Sequence, residues 1–337
     1  MKKVICYSLG AIAVFLLCVF WGFVRDSKLP AFTGSAEVYV CDTTSVEGVI
    51  SQIKSQCGIR FEKSLRKVFE RKRVPEFITP GYYKIEASNS AVYVARMLNN
   101  AWQTPVRLTL SGSLRLKSEV ASRIGSKLLL DSATVHNALN DAGFLKKYGC
   151  TPQTVFSLII PDTYEIYWDA SLDELFSLFQ REHQKFWNEE RLQKASQLGL
   201  SPLQVSIVAS IVRCESNYTP EYPQLAGVYL NRLKKGMKLQ ACPTVAFCYD
   251  FKLTRVLNKH LKVNSPYNTY IHKGLPPGPI CCPTKAALDA VLNADTESGY
   301  LFFCASTQTP GRHLFAKSYK EHSRNAQAFQ KALDKKK

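Results

Sequence analysis

The stretch Ser201–Glu215, SPLQVSIVASIVRCE, decides how the larger part of this chain folds. Ser201 is a good helix-capping residue, Pro202 lacks the N–H that a first helical position leaves unpaired, and Gln204 completes a capping box. Apolar residues then recur at spacings of three and four, and they are Ile207, Val208, Ile211 and Val212. The pattern predicts a helix with a buried face that ends at Glu215.

Glu215 continues this apolar face, because steps of four and three residues lead to it from Val208 through Val212. Desolvation keeps a carboxyl group in such a place partly protonated, as a general acid near neutral pH must be. The alternative is structural, since a Glu at a helix end also serves as a cap or pairs with a cation such as Arg213 or Arg232. The helical pattern alone leaves both interpretations open.

Residues 34–112 alternate between strand-like and helix-like patterns. Period-two alternation and β-rich runs predict strands over 36–40, 82–85 and 106–110. Helical spacing predicts helices over 45–53, 63–73 and 90–99. The series predicts a compact α+β module, which either binds polysaccharide or serves as a spacer.

Two helical patterns between residues 116 and 143 predict a connecting helical subdomain over 113–150. Cys150-Thr151-Pro152 marks a boundary, and a larger mixed α/β domain is expected over 151–334. In this domain the continuous apolar run 156–160 predicts a buried strand, and helices are predicted over 172–186 and 191–198. The fold class is therefore α+β.

The 21 residues Val4–Val24 carry no charge and are long enough to span about 30 Å of hydrocarbon. We expect one transmembrane helix over 4–24 and a cytoplasmic end of residues 1–3. A cleaved signal peptide is the alternative, but the run ends in bulky WGFV rather than in a small-x-small cleavage site. The pair Lys2-Lys3 before the helix favours a single-pass topology with the rest of the chain outside the cytoplasm.

The chain is strongly basic, with 44 Lys and Arg against 27 Asp and Glu and a formal charge of +17. Such a balance favours an anionic partner, namely nucleic acid, an acidic lipid surface or an acidic wall polymer. No helix-turn-helix, RNP-type or zinc-finger pattern accompanies the scattered basic residues. Nucleic acid is therefore not expected as a partner.

Eleven cysteines are present, and nine of them follow the expected membrane helix. None forms a C-x-x-C pair, and no His pair follows at zinc-finger spacing, so neither a metal site nor another cofactor is expected. Small buried thiols and one or two disulfides both remain open for these cysteines.

Several motifs occur in a fixed order around the helix that ends at Glu215. They are PDTY at 161–164, ESNY at 215–218, LNRL at 230–233, GMKLQ at 236–240, YNTY at 267–270, GLPPGPI at 274–280 and GRH at 311–313. Their order and spacing resemble the MltG/YceG-like endolytic murein transglycosylases. The likeness covers most of residues 30–330.

The resemblance implies an anchor in the inner membrane, a LysM-like module over 34–112 and a catalytic domain over 151–334 with Glu215 as its acid/base. It implies a lyase reaction in which Glu215 protonates the oxygen between MurNAc and GlcNAc. The MurNAc 6-hydroxyl then closes onto C1 and gives a 1,6-anhydro end, so no second carboxylate is needed. The implied partners are nascent glycan strands, the membrane and peptidoglycan synthases, and the implied role is to terminate glycan elongation.

Five residues of the matched motifs suit a sugar substrate. Gln240, Asn231 and Asn268 offer hydrogen-bond donors and acceptors, and Tyr267 and Tyr270 offer rings that stack on sugar faces. Each also has a structural interpretation. Gly274-Leu275-Pro276-Pro277-Gly278 predicts a rigid loop that shapes the cleft.

Two positions depart from the family pattern. Cys242 stands where an acidic residue is common, and Arg213 replaces the first Glu of a Glu-x-Glu. Glu221 and Asp250 remain possible helpers, and His313 is expected to be structural. The alternatives to a lytic transglycosylase are an inactive wall-binding scaffold and a hydrolytic muramidase that uses water.

Overall fold

The computed structural model of the chain describes residues 2–112 and 114–334, with the side chains of 2–6 and 333 outside the description. Met1, where the expected cytoplasmic end begins, and Ser113, where the expected connecting subdomain begins, lie outside the described residues. The chain forms two compact units. The first unit runs to Leu108 and includes Lys127–Leu129 and Glu165–Ala170, and the second holds the other described residues. The finer division into five parts stays a prediction.

The first unit begins with one long helix, α1 (Lys2–Lys28). Its run Tyr7–Lys28 is long and apolar enough to cross a membrane. Large apolar side chains such as Phe15, Phe20 and Trp21 are exposed along it. An N-terminal apolar helix is therefore present, as expected, and it continues four residues past the predicted end at Val24.

An antiparallel pair, β1 (Ala36–Val40) and β2 (Gly81–Ile85), follows, with Ala36 opposite Ile85 and Val40 opposite Gly81. Side chains of β1 alternate between buried and exposed, because successive residues of a strand face opposite sides. The four helices of this part are α2 (Val46–Gln56), α3 (Glu62–Arg71), α4 (Val74–Phe77) and α5 (Ala91–Asn99). Helix α2 packs on β1 and α5 packs on β2, and α3 and α4 pack on α5.

The core of this unit consists of the residues whose spacing predicted the helices and strands. Its largest fully buried side chains include Phe32, Ile50, Ile53, Leu65, Phe69, Tyr83, Ile85 and Leu98. The predicted helices and strands of 34–112 are confirmed to within a few residues at their ends. Whether the module is LysM-like stays a prediction.

Two further sheets have two strands each. In one, β3 (Val106–Thr109) is the neighbour of β4 (Thr163–Ile166). In the other, β5 (Phe302–Ala305) runs antiparallel to β6 (His313–Ala316), with Phe303 opposite Phe315.

The second unit is mainly helical, with β5 and β6 near its C-terminal end. Its helices are α6 (Lys117–Gly125), α7 (Ser132–Ala138), α8 (Ala142–Lys146), α9 (Leu172–Phe186), α10 (Glu189–Gln197), α11 (Pro202–Glu215), α12 (Tyr222–Lys234), α13 (Cys242–Phe247), α14 (Lys285–Leu292) and α15 (Tyr319–Asp334). The helices predicted between 116 and 143 and over 172–186 and 191–198 are confirmed.

Helix α11 is the centre of this unit and begins as predicted. Ser201 Oγ accepts from Gln204 N at 3.3 Å, and Ser201 N donates to Gln204 Oε1 at 2.8 Å. All eight residues from Val205 to Val212 are buried, because α10, α12, α13 and α14 all pack on α11. The helix is therefore buried on every side through its middle, and the prediction of a single buried face was too narrow.

The strand predicted over 156–160 is wrong. A short 3-10 helix occupies Val155–Ser157, and its turns are closed by Ser157 N donating to Thr154 O at 2.8 Å. Phe156, Ile159 and Ile160 are nevertheless buried, as the apolar run required. A short apolar run predicts burial, but it does not decide between a strand and a helical turn.

The cysteines whose side chains the structure describes are free thiols. Cys281 and Cys282 are buried, and the thiols of Cys214 and Cys281 contact each other. The sequence left both thiols and disulfides open, and the structure has thiols at the described cysteines.

Gly227 in α12 sets a testable limit on the packing of this helix. A Cβ at this position would lie 2.1 Å from the backbone oxygen of Asp295, which cannot move aside as a flexible side chain does. We expect Gly227→Ala to lower the free energy of unfolding by about 1–3 kcal/mol. Differential scanning fluorimetry should then show a melting temperature lower by roughly 2–10 °C.

Gly48→Ala in α2 is the matched control, since its Cβ would meet Thr44 Cγ2 at 3.5 Å and Ser45 Oγ at 3.7 Å, which are ordinary van der Waals distances. Alanine is the better helix former, so the melting temperature should stay the same or rise. Equal losses in the two variants would contradict a specific contact at Gly227.

Candidate active site

Glu215 is the last residue of α11, where the buried helix reaches the surface. The residue is half-buried, and Ser216 beyond it has an extended backbone with φ −140° and ψ 151°. The carbonyl oxygen of Ser216 accepts a hydrogen bond of 3.0 Å from Tyr222 Oη. The turn after the helix is thus held in place.

Tyr229 is the direct partner of the Glu215 carboxylate. Its hydroxyl donates to Glu215 Oε1 at 2.5 Å, and its side chain is 1% exposed. Burial, followed by the negative charge of Glu215, raises the pKa of Tyr229 well above its usual value. The phenol therefore keeps its proton at neutral pH and remains a donor to Glu215.

Arg232 lies three residues after Tyr229, on the same face of α12. It is 8% exposed, and its guanidinium donates to Leu301 O at 2.6 Å and to Leu239 O at 2.7 Å. Burial lowers the pKa of Arg232, but a guanidinium stays charged in proteins. A fixed positive charge therefore acts on Glu215 from within the core.

Two opposing effects set the protonation of Glu215. Burial raises the pKa of Glu215 to about 7, while the hydrogen bond from Tyr229 and the charge of Arg232 lower it. The C-terminal end of α11 adds the negative end of a helix dipole, which also disfavours a carboxylate. Burial outweighs the two stabilising contacts, so a large share of Glu215 is protonated near neutral pH. The rise agrees with the apolar face on which the residue was found.

Cys242 and Tyr270 form a second pair beside Glu215. Cys242 Sγ and Tyr270 Oη are 3.1 Å apart, and the charge of Glu215 acts on both groups. Cys242 as a residue is exposed, yet desolvation of its thiol raises the pKa of Cys242. Burial also raises the pKa of Tyr270. Both groups of this pair are therefore neutral near pH 7.

Gln240 is exposed and lies two residues before Cys242 in the chain. Its φ is 50°, a left-handed conformation that a residue with a side chain seldom adopts. Backbone bonds hold it there, because Gln240 N donates to Thr269 O at 3.1 Å and Ala241 N donates to Thr269 Oγ1 at 3.0 Å. The segment before α13 is thereby tied to the YNTY motif.

Asn268 is fully buried and holds the YNTY loop. Its Nδ2 donates to Leu261 O at 2.9 Å and to Val263 O at 2.8 Å, and its Oδ1 accepts from Tyr270 N at 3.0 Å. These bonds position Tyr270. A direct contact between Asn268 and sugar stays an untested prediction, and the geometry favours a positioning role.

Asn231 is engaged in a similar way in α12. Its Nδ2 donates to the carbonyl oxygens of Thr296 and Tyr300, at 3.2 and 3.1 Å. The amide thus fixes the loop that leads into β5. Its predicted contact with substrate is likewise untested.

Tyr267 packs against Phe247, with 4.6 Å between ring centroids, and burial raises its pKa. Gly278 of the predicted rigid loop lies close by. A Cβ at Gly278 would lie 1.9 Å from Gln153 O and 3.3 Å from Tyr267 Oη, so only glycine fits. Ile280 N donates to Ser210 Oγ of α11 at 3.0 Å, which anchors the loop on the central helix.

The two carboxylates considered as helpers have other partners among the described residues. Glu221 is buried, and its Oε2 lies 3.0 Å from Nδ1 of His313, whose backbone N–H donates to Glu221 Oε1 at 3.2 Å. His313 is structural in this sense, joining β6 to the start of α12. Asp250 is exposed and pairs with Lys252 at 3.1 Å.

The structure brings together Glu215, Cys242 and Tyr270, and it adds Tyr229 and Arg232. The sequence analysis did not single out Tyr229, and it considered Arg232 only as a structural ion-pair partner. The available signal was the spacing of three on α12, which puts a phenol and a guanidinium on one helix face. Within the described residues, no group of three or more His, Cys, Asp and Glu side chains is placed to hold a metal ion.

Comparisons with known proteins bear on this arrangement. The sequence model of the YceG-like family matches residues 38–328. An endolytic murein transglycosylase of Bacillus subtilis is 25% identical over 320 residues, which are 90% of this chain and 86% of that protein. An endolytic murein transglycosylase of Streptococcus pneumoniae is 32% identical over 123 residues, 35% of this chain and 22% of its own length.

A YceG-like protein from Listeria monocytogenes, known from a crystal structure, has the same fold. The TM-score is 0.54 at 23% identity, with 86% of this chain and 98% of that chain covered. The relatives agree with the enzyme class that the motifs implied, a lytic transglycosylase. Because the family match extends over residues 38–328, the chain belongs to the YceG-like family.

Proposed function

We propose that this chain is a peptidoglycan lytic transglycosylase with Glu215 as its single acid/base. The observation that carries the proposal is the Glu215 carboxyl group at the surface end of α11, with a pKa of about 7 and a hydrogen bond from Tyr229. The names of the two relatives, endolytic murein transglycosylases, support the reaction class. A pKa near the working pH suits one group that first gives and then takes a proton.

The proposed reaction has two proton transfers. Protonated Glu215 gives its proton to the oxygen between C1 of MurNAc and GlcNAc, and the C1–O bond breaks. The 6-hydroxyl of the same MurNAc then attacks C1, and its proton returns to the Glu215 carboxylate. The products are a 1,6-anhydro-MurNAc end and a new GlcNAc end, and Glu215 is restored without water.

Tyr229 and Arg232 are proposed to stabilise the carboxylate that exists between the two transfers. A hydrogen bond to an ionised acceptor is about twice as strong as one to a neutral acceptor. The bond from Tyr229 therefore strengthens as Glu215 loses its proton, and the charge of Arg232 acts in the same direction. This lowers the free energy of the intermediate state.

Substrate contacts are proposed for Gln240, Tyr267 and Tyr270. The exposed Gln240 amide and the Tyr270 hydroxyl suit sugar hydroxyl and N-acetyl groups, and Tyr267 and Tyr270 suit sugar faces. Asn231 and Asn268 are proposed to act by holding their loops.

For the location, we propose a single-pass protein of the inner membrane, held by α1, with both compact units on the outer face. The order β1, α2, α3, α4 and β2, with β1 paired to β2, supports a LysM-like module that binds glycan. The charge of +17 suits anionic wall polymer and lipid headgroups. The enzyme would then cut nascent strands beside the peptidoglycan synthases and so end their elongation.

The first prediction from the proposed function concerns the products of glycan cleavage. Wild-type protein should give 1,6-anhydro ends from purified glycan strands, and Glu215→Gln should lose at least about 100-fold in rate, because its amide cannot donate the proton. Mass spectrometry of the strand ends measures both. Reducing ends would transfer the enzyme to the hydrolases, and unchanged products from Glu215→Gln would refute its role.

Two controls accompany this variant. Glu221→Gln changes a buried carboxylate of the same unit and should retain anhydro products while melting at a lower temperature, because its contact with His313 is weakened. Glu190→Gln on the surface should change neither the products nor the melting temperature. Complete loss of activity in Glu221→Gln, with the fold intact, would contradict a single acid/base.

The second prediction concerns pH. Glu215 must begin protonated, so kcat/KM should fall as the pH rises through about 7. The hydrogen bond from Tyr229 favours the carboxylate, so Tyr229→Phe should raise the pKa of Glu215 further. The falling limb should move to higher pH by about one unit or more, since a hydrogen bond to a charged group contributes about 1.5–3 kcal/mol.

Tyr222→Phe is the matched control for this measurement. Tyr222 is also buried in α12, but its hydroxyl donates to Ser216 O rather than to Glu215. The falling limb of this variant should stay at the wild-type pH. A limb that moves to lower pH in Tyr229→Phe would overturn the assigned direction.

The third prediction concerns the anchor. If α1 is retained, the mature protein should stay in the membrane fraction after an alkaline carbonate wash, and its intact mass should include residues 4–24. A mature chain that begins after residue 24 would show that the segment is a cleaved signal peptide.

A further inference from the structure

The first unit contains a cavity of about 550 Å³ where α1 leaves its apolar run. The cavity lies between the C-terminal part of α1 and the helices α3 and α5. Its lining divides into a basic end and an apolar end. It contains none of the residues proposed for glycan cleavage.

Five basic side chains line the basic end, and they are Arg25, Lys67, Arg71, Lys72 and Arg96. One carboxylate, Asp26, lines it as well, so the cavity has an excess of four positive charges, five less one. Asp26 is 7% exposed and is bound by Arg25 Nε at 2.9 Å, Arg71 at 3.5 Å and Ser64 Oγ at 2.5 Å. Asp26 thus fixes two of the cations in place.

The other three cations have no carboxylate within salt-bridge distance in the part of the chain that the structure describes. Lys67 is on α3, Lys72 is at its C-terminal cap and Arg96 is on α5. Lys67 and Arg96 are exposed, and Lys72 is half-buried. Cations that line one cavity repel one another, and an anion bound among them relieves this repulsion. The basic end therefore has the chemistry of a site for an anion such as a phosphate group.

The apolar end is formed by Val19, Gly22 and Phe23 of α1, together with Val92 of α5. Phe23 is 59% exposed, and a Cβ at Gly22 would meet nothing within 4 Å, which leaves an open path along α1. A free phosphate ion would leave this end unfilled. A ligand with an anionic head and a hydrocarbon chain fits both ends.

We propose that this cavity binds an anionic phospholipid, with its headgroup phosphate among Lys67, Lys72 and Arg96 and an acyl chain along α1. The inference rests on the proposed membrane anchoring by α1. The bound lipid would fix the depth and rotation of the first unit at the membrane surface, beyond what a single helix provides.

The test uses the full chain in detergent micelles and native mass spectrometry. Dioleoyl phosphatidylglycerol is titrated against dioleoyl phosphatidylcholine, with inorganic phosphate as competitor. The cavity variant is Lys67→Gln/Lys72→Gln/Arg96→Gln. The matched control removes the same charge from exposed positions of the first unit outside the cavity, as Lys63→Gln/Arg107→Gln/Lys127→Gln.

Wild-type protein and the control variant should bind phosphatidylglycerol in preference to phosphatidylcholine. The cavity variant should bind it roughly 100-fold more weakly, since each basic residue near anionic headgroups contributes roughly fivefold. Equal weakening in both variants would overturn the proposal in favour of unspecific charge. Competition by millimolar phosphate as strong as that of the lipid would overturn the lipid and leave a phosphate site.

Glycan cleavage separates this proposal from the proposed function. The cavity variant should cleave soluble glycan strands at the wild-type rate. If the wild type gives no anhydro ends but keeps its lipid preference, the proposed function fails and the lipid site stands. If cleavage is normal and the preference is absent, only the lipid site fails.

Discussion

The contact between Tyr229 and Glu215 is the interaction on which the candidate site depends. Without a partner, a carboxyl group at the end of a helix buried from Val205 to Val212 would be neutral. The 2.5 Å bond from a phenol that keeps its proton, with the charge of Arg232 nearby, holds its pKa at about 7 instead of higher. Burial and two compensating contacts together set a value suited to proton transfer in both directions.

Helix α12 supplies both groups that lower the pKa of Glu215, so its position controls that pKa. Gly227 allows α12 to approach the backbone at Asp295, and Asn231 ties it to the loop before β5. Glu221 joins its start to β6 through His313. Glu221 and Asn231 therefore act by placing α12, while Cys242 and Tyr270, on which the charge of Glu215 also acts, are neutral. In the described part of the chain, the groups that contact Glu215 or act on its charge include no second carboxylate.

The patterns of the chain predicted much of the fold because the helices and strands follow from local rules. The capping box at Ser201, the spacings of α2, α5 and α9, and the alternation of β1 each depend on neighbouring residues, and each is observed. The run 156–160 failed as a strand, because apolar character predicts burial and not backbone conformation. The uncharged run near the N-terminus likewise gave α1 without tertiary information.

The sequence predicted less of the candidate site than of the fold. The sequence by itself determined Glu215 as the candidate and, through the order of its motifs, the YceG-like family. The partner of Glu215 was decided only by tertiary structure, since Tyr229 reaches it when α12 packs on α11. The amide of Asn231 is engaged by the loop before β5, and the amide of Asn268 is engaged by backbone carbonyls of its own loop. Periodicity shows which face of a helix is buried, but contacts between helices decide which polar groups meet and therefore which pKa values shift.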